Sequence, residues 1–166
     1  MIVVSDTSPL RYLAMIGGLN WLPELFGEVI CPPEVMEECR HPGAPEELRE
    51  WASQPPAWLR NRSISEGAAM LPVNIYLDGG ETATLCLARE IGAELVLLDE
   101  RRGRAVAANL GLAVTGTLGV LVEAALRGLI GFDEGLERLL TRTNYRVNEA
   151  VIAAARAKFV DGGGGL

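Results

Sequence analysis

Ile2-Val3-Val4-Ser5-Asp6-Thr7-Ser8-Pro9-Leu10 opens the chain with a β-branched run that stops at a carboxylate and passes at once into a helix signal. Such a run has the pattern of a strand buried on both faces, expected over residues 2–5. Ser8 and Pro9 read as an N-cap and first helical position, followed by a helix with Leu10, Leu13 and Ala14 inward that stops at Gly17-Gly18. The motif is strand, aspartate, helix. An aspartate directly after a buried strand stands in low-dielectric surroundings, where an unpaired charge is costly and a metal or partner is expected.

The order strand then aspartate recurs where Glu94-Leu95-Val96-Leu97-Leu98 runs into Asp99. Before it, Gly79-Gly80-Glu81 opens a helix with Ala83, Leu85, Leu87 and Ala88 on its apolar side, ending near Gly92. After it, the pattern predicts a helix over 101–110, a strand over 112–115, and a helix over 117–126 with Thr117 as N-cap and Gly128 as its stop. Between the first motif and Gly79, helices are expected over 20–26, 33–40 and 46–52 and a strand over 28–31. From His41 to Pro72 the pattern weakens into prolines, and the segment reads as a peripheral insertion. Two amphipathic helices, 134–141 and 148–158, precede a glycine tail expected to be disordered. Strands alternate with helices, so the fold class is α/β: a central, mostly parallel sheet of about four to five strands between helical layers, in one domain over residues 1–160 with a flexible tail at 161–166.

Composition bounds the function. With 166 residues and 49% hydrophobic content, a single core is ample. The formal net charge of −7 leaves no global positive field for nucleic acid. A polyanion would have to be held locally, by metal ions or an arginine patch. Cys31, Cys39 and Cys86 form no C-x-x-C pair and leave an odd count, against a disulfide framework or structural zinc and in keeping with a reducing cytoplasm. The start lacks a basic leader, and no apolar run approaches the roughly 20 residues that span a bilayer, so a cytoplasmic protein without membrane attachment is expected.

In an open parallel α/β sheet the functional crevice lies beyond the carboxyl ends of the strands. Asp6 and Asp99 occupy such ends, Glu81 stands in the first turn of the helix that feeds the second, and Glu38 can reach the crevice from its own helix. Clustered carboxylates raise one another's pKa and repel unless a cation neutralises them, and an all-oxygen set suits Mg²⁺ or Mn²⁺. Such ions support phosphodiester hydrolysis. Each acid also has an ordinary reading. Glu81 follows Asp78 at capping-box spacing, Glu38 shares its helix with Glu34 and Glu37 as a solvated face would, and Asp99 can cap the helix over 101–110. Glu100-Arg101-Arg102-Gly103-Arg104 is either a phosphate-binding patch or a solvated helix start. His41 reads as surface, and Trp21, Trp51 and Trp58 as core or interface anchors.

Taken together, Ile2 to Leu10, Gly80-Glu81-Thr82-Ala83-Thr84-Leu85-Cys86-Leu87-Ala88, Leu97-Leu98-Asp99-Glu100-Arg101-Arg102-Gly103-Arg104 and Thr115-Gly116-Thr117-Leu118-Gly119 resemble the PIN-like family of small prokaryotic proteins described as predicted nucleic-acid-binding and related to VapC-type toxin ribonucleases. The resemblance runs from Met1 to about Ile130. It implies a three-layer PIN fold, a Mg²⁺- or Mn²⁺-dependent endoribonuclease, an RNA substrate, a homodimer and a neighbouring antitoxin. Carried over by position, it implies catalytic acids at Asp6, Glu38, Glu81 and Asp99, with metal on Asp6, Glu81 and Asp99 and substrate contacts from Thr7, Ser8, Arg101, Arg102 and Thr117. Glu37 competes with Glu38 for the second acid. The third acid is more often aspartate in the toxins, and the longer Glu81 can hold a metal through water. A PIN-like module that binds RNA or protein without cutting is the alternative. An aspartyl phosphatase is disfavoured, because it wants a second aspartate where Ser8 stands.

Overall fold

A computed structural model describes residues 1–65, 71 and 77–165. The described strands are β1 (Val3–Ser5), β2 (Val29–Cys31), β3 (Leu59–Asn61), β4 (Leu95–Leu97) and β5 (Val114–Thr115). They form one sheet in the order β3-β2-β1-β4-β5, every neighbouring pair parallel. Val4 pairs with Ile30 on one side and Val96 on the other, which makes β1 the central strand. The helices are α1 (Thr7–Ile16), α2 (Trp21–Phe26), α3 (Pro33–Arg40), α4 (Glu46–Ser53), α5 (Gly79–Ile91), α6 (Arg101–Asn109), α7 (Thr117–Leu126), α8 (Phe132–Arg142) and α9 (Glu149–Asp161).

Successive strand residues point to opposite faces, so each central strand feeds two cores. Val4, Val96 and Leu98 pack with Leu85, Leu87, Ala88, Val106 and Ala107 of α5 and α6. Val3 and Leu97 join the larger core on the other face, with side chains of α1, α3, α4, α7, α8 and α9. The result is three layers, as the alternation of elements predicts. Trp21 belongs to this larger core, and Trp51 and Trp58 are partly buried against it, as expected of anchors. All three cysteines are free, and burial pushes the thiols of Cys31 and Cys39 up to about 12. No described helix is long and apolar enough to cross a membrane.

The segment after His41 departs from its reading as a peripheral insertion. Leu48 and Ala52 of α4 and Leu59 of β3 are in the main core, and Leu59-Arg60-Asn61 pairs along β2 as the edge strand. Only Leu59 of that strand is buried, so no run or alternation announces it. Residues 66–70 and 72 of the segment, and 73–76 after it, lie outside the described residues. α1 also starts earlier than Ser8. Asp6 stands at the N-cap position with extended backbone, and Pro9 is third in the helix, where its missing N–H is still not needed for an intrahelical bond. At the other end, α9 runs to Asp161, and Gly162, Gly163 and Gly164 donate to the carbonyls of Lys158, Val160 and Phe159. The glycine tail is thus a helix terminus as far as Gly164. Stacking of Phe159 on Phe132, with ring centroids 5.2 Å apart, ties α9 to α8.

Candidate active site

The chain leaves β1 for β2 and β3 on one side and later returns to add β4 and β5 on the other, so the strand order reverses between β1 and β4. A crevice opens at such a reversal, beyond the carboxyl ends of the two strands. Asp6 follows β1 and Asp99 follows β4 within two residues, and the Asp6 N–H donates to Leu97 O at 2.9 Å across that junction. Topology alone therefore sets both aspartates at one edge.

Asp6 is 3% exposed. Burial pushes its carboxyl up from the usual 3.8 to about 7, against the pull of the Thr7 N–H, and the nearby charges of Asp78, Glu81 and Glu38 add to the rise. Thr84, a turn beyond Glu81 on α5, donates its hydroxyl to Asp6 Oδ1 at 3.4 Å. Asp6 sits at the N-cap of α1, yet its side chain makes no cap bond. The side chain reaches Thr84 on α5 instead.

Glu81 combines two of its readings. Asp78 Oδ1 accepts from the Glu81 N–H at 2.8 Å and Glu81 Oε2 accepts from the Asp78 N–H at 3.3 Å, which completes the capping box. Its other oxygen, Oε1, is buried without a hydrogen-bond partner among the described residues. Burial, foremost, raises the Glu81 carboxyl as well. An orphaned carboxylate oxygen costs about 1–3 kcal/mol or more, and such groups demand an explanation.

Helix phase sets Glu37 and Glu38 on different sides of α3. α3 buries Val35, Met36 and Cys39, which leaves Glu34 and Glu37 exposed and turns Glu38 half inward. The Thr7 hydroxyl donates to Glu38 Oε2. The Glu38 carboxylate also lies over Gly80 so closely that a Cβ there would fall 2.5 Å from Oε1. Gly103 plays the same part for Glu81, where an added Cβ would be 2.9 Å from Oε1. Two glycines thus make room for two carboxylates.

Asp99 has partners of its own. Its Oδ1 accepts from the Thr117 N–H at 2.7 Å and its Oδ2 from the Thr117 hydroxyl at 2.8 Å, so the carboxylate sits on the N-terminus of α7. Burial raises its pKa, while Thr117 and then Arg104 pull it back. Two expectations change here. Gly116 and not Thr117 occupies the cap position of α7, and Glu100 rather than Asp99 that of α6. Thr117, expected at the substrate, is fully buried with its N–H and hydroxyl both bonded to Asp99.

Arg101 and Arg102 are exposed in the first turn of α6, while Arg104, one turn on, reaches Gly116 beside Asp99. Ser8 is half-buried in the first turn of α1. Thr84 is the contact that the sequence reading does not single out, its available signal being its spacing three residues after Glu81; Arg104, read there as part of the basic cluster, is found beside Asp99. No three His, Cys, Asp or Glu side chains among the described residues stand close enough to form a ready-made metal group. The charges of Glu38 and Glu81 both act on Asp6, while both oxygens of Asp99 are engaged by Thr117. The donor chemistry nevertheless fits a hard divalent ion. The set is all oxygen, and one of those oxygens is buried and unpartnered.

A family model described as a PIN domain matches residues 2–160. The chain belongs to the PIN-domain family. The parallel sheet between helical layers is the architecture expected of it, and PIN domains are nuclease-type folds, generally hydrolases that use divalent metals. No curated protein matches the chain.

Proposed function

We propose that this PIN domain is a metal-dependent endoribonuclease, with Asp6, Glu38, Glu81 and Asp99 as its acids. The observation that carries the reading is Glu81 Oε1, a buried carboxylate oxygen without a partner, beside an Asp6 whose burial holds its pKa near 7. Asp6, Glu81 and Asp99 would hold Mg²⁺ or Mn²⁺. Bound there, the ion supplies Lewis-acid stabilisation of a phosphodiester and a water of lowered pKa. The chain's own residues do the rest. Thr117 orients Asp99, and Thr84 orients Asp6. Thr7 holds Glu38, the acid that opens on a solvent-accessible cavity and is best placed to take a proton from an attacking water. Ser8, Arg101 and Arg102 would meet phosphate oxygens.

The same reading extends to a toxin with an antitoxin partner and to a homodimer, both supported by the likeness to VapC-type toxins. A second reading, a PIN module that binds RNA without cutting it, is favoured by one observation, the engagement of both Asp99 oxygens by Thr117. Incubation of the purified chain with single-stranded and structured RNA in Mn²⁺ separates the two. Cleavage that stops in excess chelator and falls at least about 100-fold in Asp6→Asn is expected of a metal-dependent site. Cleavage that survives both changes rules out this mechanism, and binding without any cleavage favours the second reading.

A further inference from the structure

A cavity of about 400 Å³ lies beside the acids, lined by Thr7, Arg11, Glu38, His41, Ala44 and Leu48 among others. Its size is that of a small-ligand site. Thr7 and Glu38 belong to both the cavity and the acid cluster, so whatever fills the cavity is in contact with the reacting region. Arg11 is one turn beyond Thr7 on α1, and residues at that spacing share a helix face. His41 follows α3, and its Nδ1 accepts from the Gly43 N–H at 2.9 Å. A ring nitrogen that accepts carries no proton, so the neutral imidazole bears its proton on Nε2 and offers it as a donor. Neither Arg11 nor His41 makes an ion pair among the described residues. In a chain of net charge −7, a guanidinium and an imidazole donor thus line one cavity next to buried carboxylates. Ala44 and Leu48 give it an apolar wall.

We propose that this cavity is a subsite for one nucleotide of single-stranded RNA next to the scissile phosphate, resting on the ribonuclease reading above. Arg11 and His41 Nε2–H hold the flanking phosphate, and the nucleoside lies against Ala44 and Leu48. Cation and donor suit a phosphate, and the wall suits a ribose or base face. A nucleotide within a duplex is stacked and paired and cannot enter a one-nucleotide cavity, so the preference is for unpaired RNA.

The test is fluorescence anisotropy of a 5′-labelled single-stranded RNA dodecamer with the full chain in Ca²⁺, alongside cleavage in Mn²⁺. Arg11→Gln and His41→Gln are each expected to weaken binding about five- to tenfold with unchanged melting temperature, and Arg11→Gln to lower the slope of log K against log salt by about 0.7. Arg127→Gln, at the far end of α7, leaves binding unchanged. Equal binding by wild type and both cavity variants, or preference for the same dodecamer annealed to its complement, overturns the subsite even if wild type cleaves. If the contrast holds and wild type fails to cleave, the subsite stands and the nuclease reading falls. If wild type binds no RNA, both fall.

Discussion

Asp6 has a carboxyl that the fold holds near 7 when the unfolded chain would hold it at 3.8. Between those values the native state binds more protons than the unfolded state, so stability falls as pH rises through the interval. Full ionisation costs on the order of 4 kcal/mol. Asp6→Asn does not titrate. In chelator, urea melts from about pH 4 to about pH 8 should therefore show wild type losing roughly that amount relative to Asp6→Asn, most of it below about pH 7. A flat difference would mean that Asp6 is no more buried than a surface carboxylate. Asp99 differs in kind, because Thr117 satisfies both its oxygens and its charge faces the α7 N-terminus. Loss of activity on replacing Asp99 must accordingly be read beside a stability measurement, as its loss also orphans a buried helix N–H.

α5 shows how an element can be tuned to a site at its own expense. Gly79 and Gly80 open the helix, and glycine disfavours helix by about 1 kcal/mol relative to alanine. The reason at Gly80 is the Glu38 carboxylate lying on its Cα, where a methyl group would intrude to 2.5 Å. The obstructing atoms are the far end of a flexible side chain, so Gly80→Ala should fold. A melting temperature equal to or above wild type is expected, together with at least about a tenfold loss of RNA cleavage as Glu38 is displaced. Unchanged cleavage would show that the position of Glu38 against α5 is immaterial. The capping box at the same end has a double use, since Asp78 binds the Glu81 N–H while Glu81 spends only one oxygen on the return bond.

At the scale of the whole molecule, two buried acids, Asp6 and Glu81, and a net charge of −7 are sustained by a fold whose apolar layers lie elsewhere. A divalent cation that binds only the native state should stabilise it by about 2.7 kcal/mol at 100 times its dissociation constant, or roughly 5–10 °C for a domain of this size. Differential scanning fluorimetry with Mn²⁺ should show that shift in wild type and lose most of it in Glu81→Gln; an equal shift in both would assign it to general surface charge. The strand ends at Asp6 and Asp99, the helix starts at Glu81 and Thr117 and the parallel α/β class are legible in the chain, because burial on both faces, helix periodicity and capping residues are local patterns. β3 is not, since an edge strand with one buried residue carries no local signal. Nor is the placing of Glu37 and Glu38 on different sides of α3, the engagement of Asp99 by Thr117, or the cavity shared by Arg11 and His41. Each of these depends on the phase and packing of elements far apart in sequence, and a side chain's partners across a sheet exist only once the sheet is assembled.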